Sequence, residues 1–128
     1  FRTLGSMSSA LTDRLCRLVV MELLPAVQSG SFAEFGRAVH EYGRLVGEFF
    51  APVQGGVFGH PRTDVLIERL RELGIEGAGQ TSWGPTVFAF VPDAESGVDA
   101  AARLADQADV RVVRFRNAGA RIERQEDA

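Results

Sequence analysis

The sequence predicts an α+β fold, an antiparallel sheet covered on one face by helices, and three observations predict it. Two long apolar stripes at helical spacing open the chain. A helix–strand–strand–helix–strand order closes it. The 128 residues, 45% hydrophobic and 24% charged, suffice for the packed core of one domain.

Phe1 to Ser6 reads as a linker or strand remnant, and the absence of an initiating methionine suggests a piece of a longer protein. From about Ser9 to Gln28, Leu11, Leu15, Leu18, Val19, Leu23 and Val27 recur on one helical face, with Asp13, Arg14 and Arg17 opposite. Pro25 removes a backbone donor and crowds the Met21 carbonyl, so this helix should kink or end there, with Gly30 closing it. Ser31 and Glu34 then form a capping-box pattern for a second helix. Phe32, Phe35, Val39, Tyr42, Val46 and Phe49 are its apolar stripe, each large side chain contributing ~1.5–3 kcal/mol if buried. Beside it Gly36, His40, Gly43 and Gly47 line up on one face, at a cost of about 1 kcal/mol per glycine relative to alanine, so something should approach that face closely. A hydrogen-bonded, partly buried His40 is the favoured reading over a ligand-facing one.

Residues 51–61 hold two prolines and three glycines and are expected to form a loop, with room for a short strand at Gln54–Phe58. A third helix follows from about Thr63 to Leu73, capped by Gly74. Ile75–Gly79 and Thr86–Val91 read as two strands, Ser96–Gln107 as an alanine-rich helix, and Val110–Arg116 as a last strand. This order is a split βαβ unit without its first strand, which is either 54–58 or upstream of Phe1.

A net charge of -3 and a pI near 5.4 argue against a polyanion-binding surface, so nucleic acid is not an expected partner. All fourteen basic residues are arginine, leaving no lysine for a Schiff base or a P-loop. Glu22 and Pro25 break the apolar stretch around Leu18–Val27, which excludes a membrane span there. Cys16 is the sole cysteine, no secretory signal is present, and the expected location is cytoplasmic. Two histidines and one cysteine give no structural zinc site, and no metal site made by this chain alone is expected. Glu34, Glu41 and Glu48 recur every seven residues, the pattern of a solvated face.

The stretch GAGQTSWGPTVFAF, residues 77–90, exceeds what a hairpin connection needs. Amides around Gly77, Gly79 and Gly84 can turn inward as a concavity for an anionic oxygen. Gln80, Thr81 and Ser82 add donors, Trp83 offers a flat face and Pro85 stiffens the exit. A wide glycine hairpin whose tryptophan plugs the helix layer is the equally weighted structural alternative.

Together with QGGVF at 54–58, LTDRLCRLVVMELLPAV at 11–27 and SFAEFGRAVHEYGRLVGEFFAPVQGG at 31–56, this stretch resembles the C-terminal part of the β-ribofuranosylaminobenzene 5'-phosphate synthases, over nearly the whole chain. Those synthases belong to the GHMP kinase superfamily. The resemblance implies a ferredoxin-like split βαβ domain with two added N-terminal helices. The usual glycine run of its loop is replaced here by Gly79-Gln80-Thr81-Ser82-Trp83-Gly84.

What the resemblance implies chemically is a decarboxylating phosphoribosyl transfer from phosphoribosyl pyrophosphate to 4-hydroxybenzoate or 4-aminobenzoate, early in methanopterin-type cofactor synthesis. Gly79, Gln80, Thr81 and Ser82 would hold the phosphorylated sugar, Trp83 would orient the aromatic ring, and Gln54, Gly55 and Gly56 would line the same cleft. Magnesium is expected with the pyrophosphate donor, held mainly by that donor and by an N-terminal domain. That domain is the first expected partner and a homodimer the second. The superfamily's other phosphate loop has no counterpart here, so the fragment alone should be inactive. An ATP-dependent small-molecule kinase domain and a non-catalytic small-ligand-binding domain are the alternatives.

Overall fold

The computed structural model describes residues 4–82 and 85–121. The chain opens with α1 (Ser9–Leu18), a π-helical turn (Val19–Leu23) and α2 (Leu24–Ser29). Ser8 starts the run, its hydroxyl accepting from the Leu11 amide at 3.2 Å. The interruption expected at Pro25 falls one turn earlier. There the Leu24 amide reaches the Val19 carbonyl, five residues back, and the backbone then stays helical through Pro25. Gly30, at φ 71°, closes the run in the left-handed region, and the Ser31 amide bonds back to the Ala26 carbonyl at 3.0 Å.

The long helix α3 (Phe32–Gln54) begins where the sequence places it. The capping box does not form: Ser31 makes no side-chain cap bond, and the Phe35 amide bonds the Ser31 carbonyl instead. The helix also overruns its expected end, since residues 51–54, read as loop, are helical. Pro52 sits in the last turn, where its missing donor costs a single bond. The end is then sealed by Gly55, at φ 88°, whose amide bonds Ala51 at 2.9 Å. Leu15 and Leu18 of α1 pack with Ala38 and Leu45 of α3 as the first core. On the outer surface Glu41 accepts from Arg14 of α1 at 2.7 Å and from Arg44 at 2.7 Å, while Arg44 also pairs with Glu48. Two of the three heptad-spaced carboxylates thus belong to a solvated ion-pair network. The Arg44 hydrogen bond holds the Glu41 carboxyl below its usual range.

Helix α4 (Pro61–Glu72) starts two residues before its expected Thr63 because proline is tolerated at the first helical position. His60 caps it, its Nδ1 accepting from the Arg62 amide at 3.1 Å. Strands β1 (Ala78–Gln80) and β2 (Val87–Ala89) form an antiparallel hairpin, with Ala78 opposite Ala89, Gly79 opposite Phe88 and Gln80 opposite Val87. Helix α5 (Ala94–Leu104) follows, capped by the Asp93 carboxylate on the Ser96 amide at 2.7 Å. Ile67 and Leu70 of α4, Ala78 and Leu104 form the second core. The expected segments 63–73 and 96–107 are therefore both helical, with shifted ends.

Two strand expectations are corrected. Val110–Arg116 forms no strand. Val112 packs beside Gly97 and the Phe115 ring stacks on Phe90 at 5.7 Å, yet Val113 and Phe115 are 83% and 87% exposed. β-branched residues favour extended backbone, but a strand also needs ladder partners, which this segment does not make. Nor is 54–58 a strand, because Gln54 is helical and the rest is a turn. Among the described residues the sheet is two-stranded, helices and antiparallel hairpin together making an α+β chain.

The helices reach this hairpin from more than one side, not from one face. The side chains of Ala78 and Val87 join the α4 core. By strand alternation Gly77 and Phe90 lie on the other face, where α3 meets them. Phe35 packs edge-on against Phe90 at 5.1 Å, and Gly36 lies against Gly77. A two-stranded ribbon leaves the outer edge of β1 open, and α3 fills it.

Candidate functional site

The hairpin brings Gly77 and Gly79 to the strand rather than to the loop. The Phe90 amide takes the Gly77 carbonyl at 2.9 Å, and the Thr81 amide takes the Thr86 carbonyl at 2.9 Å. By antiparallel alternation Gly79 and Phe88, midway between, are also a hydrogen-bonded pair. Both glycines serve close packing. A Cβ at Gly77 would lie 3.0 Å from the Gly36 Cα, and one at Gly79 would lie 2.8 Å from the Phe88 ring. The expected concavity of Gly77, Gly79 and Gly84 is therefore not built from the first two, and Gly84 lies outside the described residues.

Beyond β1 the described residues are Thr81 and Ser82, and the chain is described again from Pro85. Thr81 spends its hydroxyl on the Thr86 carbonyl at 3.1 Å, which closes the loop base. Ser82 has φ 50°, the left-handed region that non-glycine residues seldom adopt. Its carbonyl accepts from Gln80 Nε2 at 2.5 Å. Trp83 lies outside the described residues. Strain of this kind, held by a specific side chain, is common at ligand-binding loops.

Gln80 also reaches across the molecule, its Oε1 accepting from the Gly59 amide at 2.7 Å. Gln54, at the end of α3, donates from Nε2 to the Gly56 carbonyl at 2.9 Å and the Val57 carbonyl at 2.8 Å. A Cβ built on Gly59 would lie 3.8 Å from Gln54 Oε1 and 3.3 Å from Gln80 Nε2. The 54–60 turn and the hairpin thus meet at Gly59, with Gln54 bonded to the carbonyls of the turn and Gln80 bonded to Gly59 and Ser82. Gly55 remains a helix cap. Both glutamine amides are already engaged with backbone.

His40 of α3 meets the outer edge of β1. Its Nδ1 lies 3.0 Å from the Ala78 carbonyl, where a neighbouring strand would otherwise donate, and its ring is 6.5 Å from that of Phe58. Sequence favoured a packed, hydrogen-bonded His40, and that is its role here. Gly36 and Gly47 are the close approaches expected of the same face. A Cβ on Gly36 would lie 2.9 Å from the Gly77 nitrogen, and one on Gly47 would fall onto the Val57 carbonyl. Gly59 escaped sequence reading, since nothing in the spacing ties residue 59 to residue 80.

On the far side of the hairpin a groove of about 730 Å³ opens between Pro85, Val87 and the start of α4, with Arg62 at its rim. A second, largely aliphatic cavity of about 640 Å³ lies between β2, α5 and residues 108–113. Pro85 lines both. Volumes of this size suit small-molecule ligands. No group of three or more His, Cys, Asp or Glu side chains among the described residues is arranged to hold a metal ion. No helix among the described residues is long and apolar enough to cross a membrane.

A family model described as GHMP kinases C terminal matches residues 23–110, from the π-helical turn to beyond α5. A β-ribofuranosylphenol 5'-phosphate synthase of Methanothermobacter thermautotrophicus is 28% identical over 109 residues, which is 84% of this chain and 32% of that protein. The chain spans about a third of the length of the curated relative it matches. No solved structure matches it.

Proposed function

The chain belongs to the GHMP kinase C-terminal family, and from that premise we propose that it is the C-terminal domain of a longer, two-domain decarboxylating phosphoribosyltransferase. The single observation that carries the reading is the similarity to a synthase of a ribofuranosylphenol 5'-phosphate, spread over 84% of the chain. That product is a phenol, which favours 4-hydroxybenzoate over 4-aminobenzoate as the aromatic substrate. The ring carbon bearing the carboxylate attacks the anomeric carbon of phosphoribosyl pyrophosphate. Pyrophosphate leaves with its bonding pair, and carbon dioxide leaves its own pair to the ring.

The geometry supports this chemistry through a rim that is organised before substrate arrives. Gln80 ties the hairpin to Gly59 and holds the Ser82 carbonyl, which would set the loop amides and hydroxyls for a phosphorylated sugar. Trp83 would supply the flat wall for the aromatic ring, and the cap residues Gln54, Gly55 and Gly56 would close the cleft. A magnesium ion arriving with the pyrophosphate donor would be held mainly by that donor and by the N-terminal half. Further strands completing a split βαβ unit would come from the rest of the parent protein. The complete enzyme would act in the cytoplasm, in methanopterin-type cofactor synthesis.

The test is to substitute Gln80→Ala and Trp83→Ala separately in the full-length parent. Loss of an oriented substrate predicts a fall in kcat/KM on the order of 10²-fold for each. Unchanged turnover in both would remove the loop from the reaction.

A further inference from the structure

The proposed reaction leaves unassigned the groove of about 730 Å³ on the far side of the hairpin, which runs between the start of α4, Pro85 and Val87, and the turn that follows α5. Its floor is apolar and held in place. Leu66 and Val87 pack against the second core, and Pro85 adds a stiff ring. Pro85 belongs to the loop that the proposed function already gives to the aromatic ring.

Polar groups meet this floor from two walls. On the α4 wall, Thr63 is 3% exposed and is the one buried polar residue among the described residues. Its hydroxyl makes no hydrogen bond among them, yet none of their buried side-chain oxygens is sealed away without a partner. The little surface that Thr63 keeps is therefore at the hydroxyl, which opens into the groove it lines, and its partner has to come from there. Arg62 beside it makes no ion pair among the described residues, whereas Arg69 and Arg71 further along α4 both do. On the other wall, Asp106 accepts from Gln107 at 3.4 Å and likewise has no cation paired with it among the described residues.

This distribution selects a class of ligand. A guanidinium next to a hydroxyl suits one carboxylate. The Asp106 carboxylate across the groove repels a highly charged anion such as a pyrophosphate, and it accepts from a neutral hydroxyl or amine. The apolar floor between the two takes a ring, and the volume has room for one.

We propose that this groove is the subsite for the aromatic acid, a hydroxy- or aminobenzoate. Its carboxylate is held by Arg62 and the Thr63 hydroxyl, its ring lies over Leu66, Pro85 and Val87, and its hydroxyl or amino group points toward Asp106. This rests on the phosphoribosyltransferase reading above and names the residues that select the acceptor. Because the carboxylate departs as neutral carbon dioxide, its bonds to Arg62 and Thr63 weaken along the reaction. They bind the substrate and do not speed its conversion.

The test compares the full-length parent with its Arg62→Gln and Thr63→Val variants. Arg62 is exposed, and valine replaces a hydroxyl that bonds nothing in the described protein, so a purely structural Thr63 would lose nothing on substitution. The expected result is a Kd for 4-hydroxybenzoate, read by calorimetry, raised on the order of 10-fold or more in each variant, with KM following it and kcat unchanged. Wild-type affinity in both variants, or no binding by the wild type, would overturn the subsite. Release of carbon dioxide and pyrophosphate is assayed alongside. Binding that depends on Arg62 and Thr63 without release would overturn the reaction and keep the site, whereas release with unchanged KM in both variants would do the reverse. If a variant loses stability, methyl NMR of the wild type decides. The Thr63, Leu66 and Val87 methyl signals should move as 4-hydroxybenzoate is added, and signals that stay in place overturn the assignment.

Discussion

Along one face of α3, Gly36 and Gly47 are closed off by backbone, whereas Gly43 between them has open space above it. All three carry the same propensity cost in a helix, and only two recover it through close packing. Gly36 lets β1 approach, and Gly47 lets the 54–60 turn fold back against the helix. The difference separates glycines that let other elements approach α3 from one that nothing approaches.

Gly47→Ala should have the largest effect. Its Cβ would meet the Val57 carbonyl, a backbone atom fixed further by the Gln54 amide, so we expect a loss of about 3 kcal/mol or more in denaturant unfolding. Displacement of the 54–60 turn should accompany it. Gly36→Ala comes next, since the Cβ would lie 2.9 Å from the Gly77 nitrogen, but both elements have some freedom to separate; we expect about 2 kcal/mol. Gly43→Ala should go the other way, stabilising by ~0.5–1 kcal/mol through helix propensity. A destabilised Gly43→Ala protein would show that this position too is closed, and the contrast would disappear.

The smallest effect concerns the opposite, solvated side of α3. Because Arg44, and then Arg14, lower the Glu41 carboxyl from its ordinary 4.5, the stabilisation is present above that value and is lost as pH falls through the lowered one. Comparing Tm of the wild type with Glu41→Gln should show a difference equivalent to ~0.5 kcal/mol near neutrality that vanishes in acid. A difference that persists in acid would point to packing and not to charge.

The sequence is most legible where periodicity is long. The stripe through Leu15 and Leu18 gives its side of the first core, and Gly30 and Gly74 end their helices as their conformational freedom predicts, but α3 buries Ala38 and Leu45 while Phe32 and Tyr42 of its expected stripe are exposed. Legibility fails where an outcome depends on distant partners. Val110–Phe115 has the residue types of a strand but no ladder partner in the described structure, and Pro52 looks like a breaker although Gln54 and Gly55 let the helix run to it. In the candidate site, Gln80 and Ser82 stood out by residue type, and Gln54 and Gly56 were drawn to them only by the resemblance. The Gly59–Gln80 bond that joins its two loops was not visible, because only the fold sets which amide faces a given glutamine.

The most direct test of the proposed function is a coupled assay of the full-length parent with phosphoribosyl pyrophosphate and 4-hydroxybenzoate. Carbon dioxide and pyrophosphate released in equal amounts is the predicted result. Release of neither, with ATP consumed when a small alcohol is supplied, would contradict it and assign the hairpin loop to a kinase.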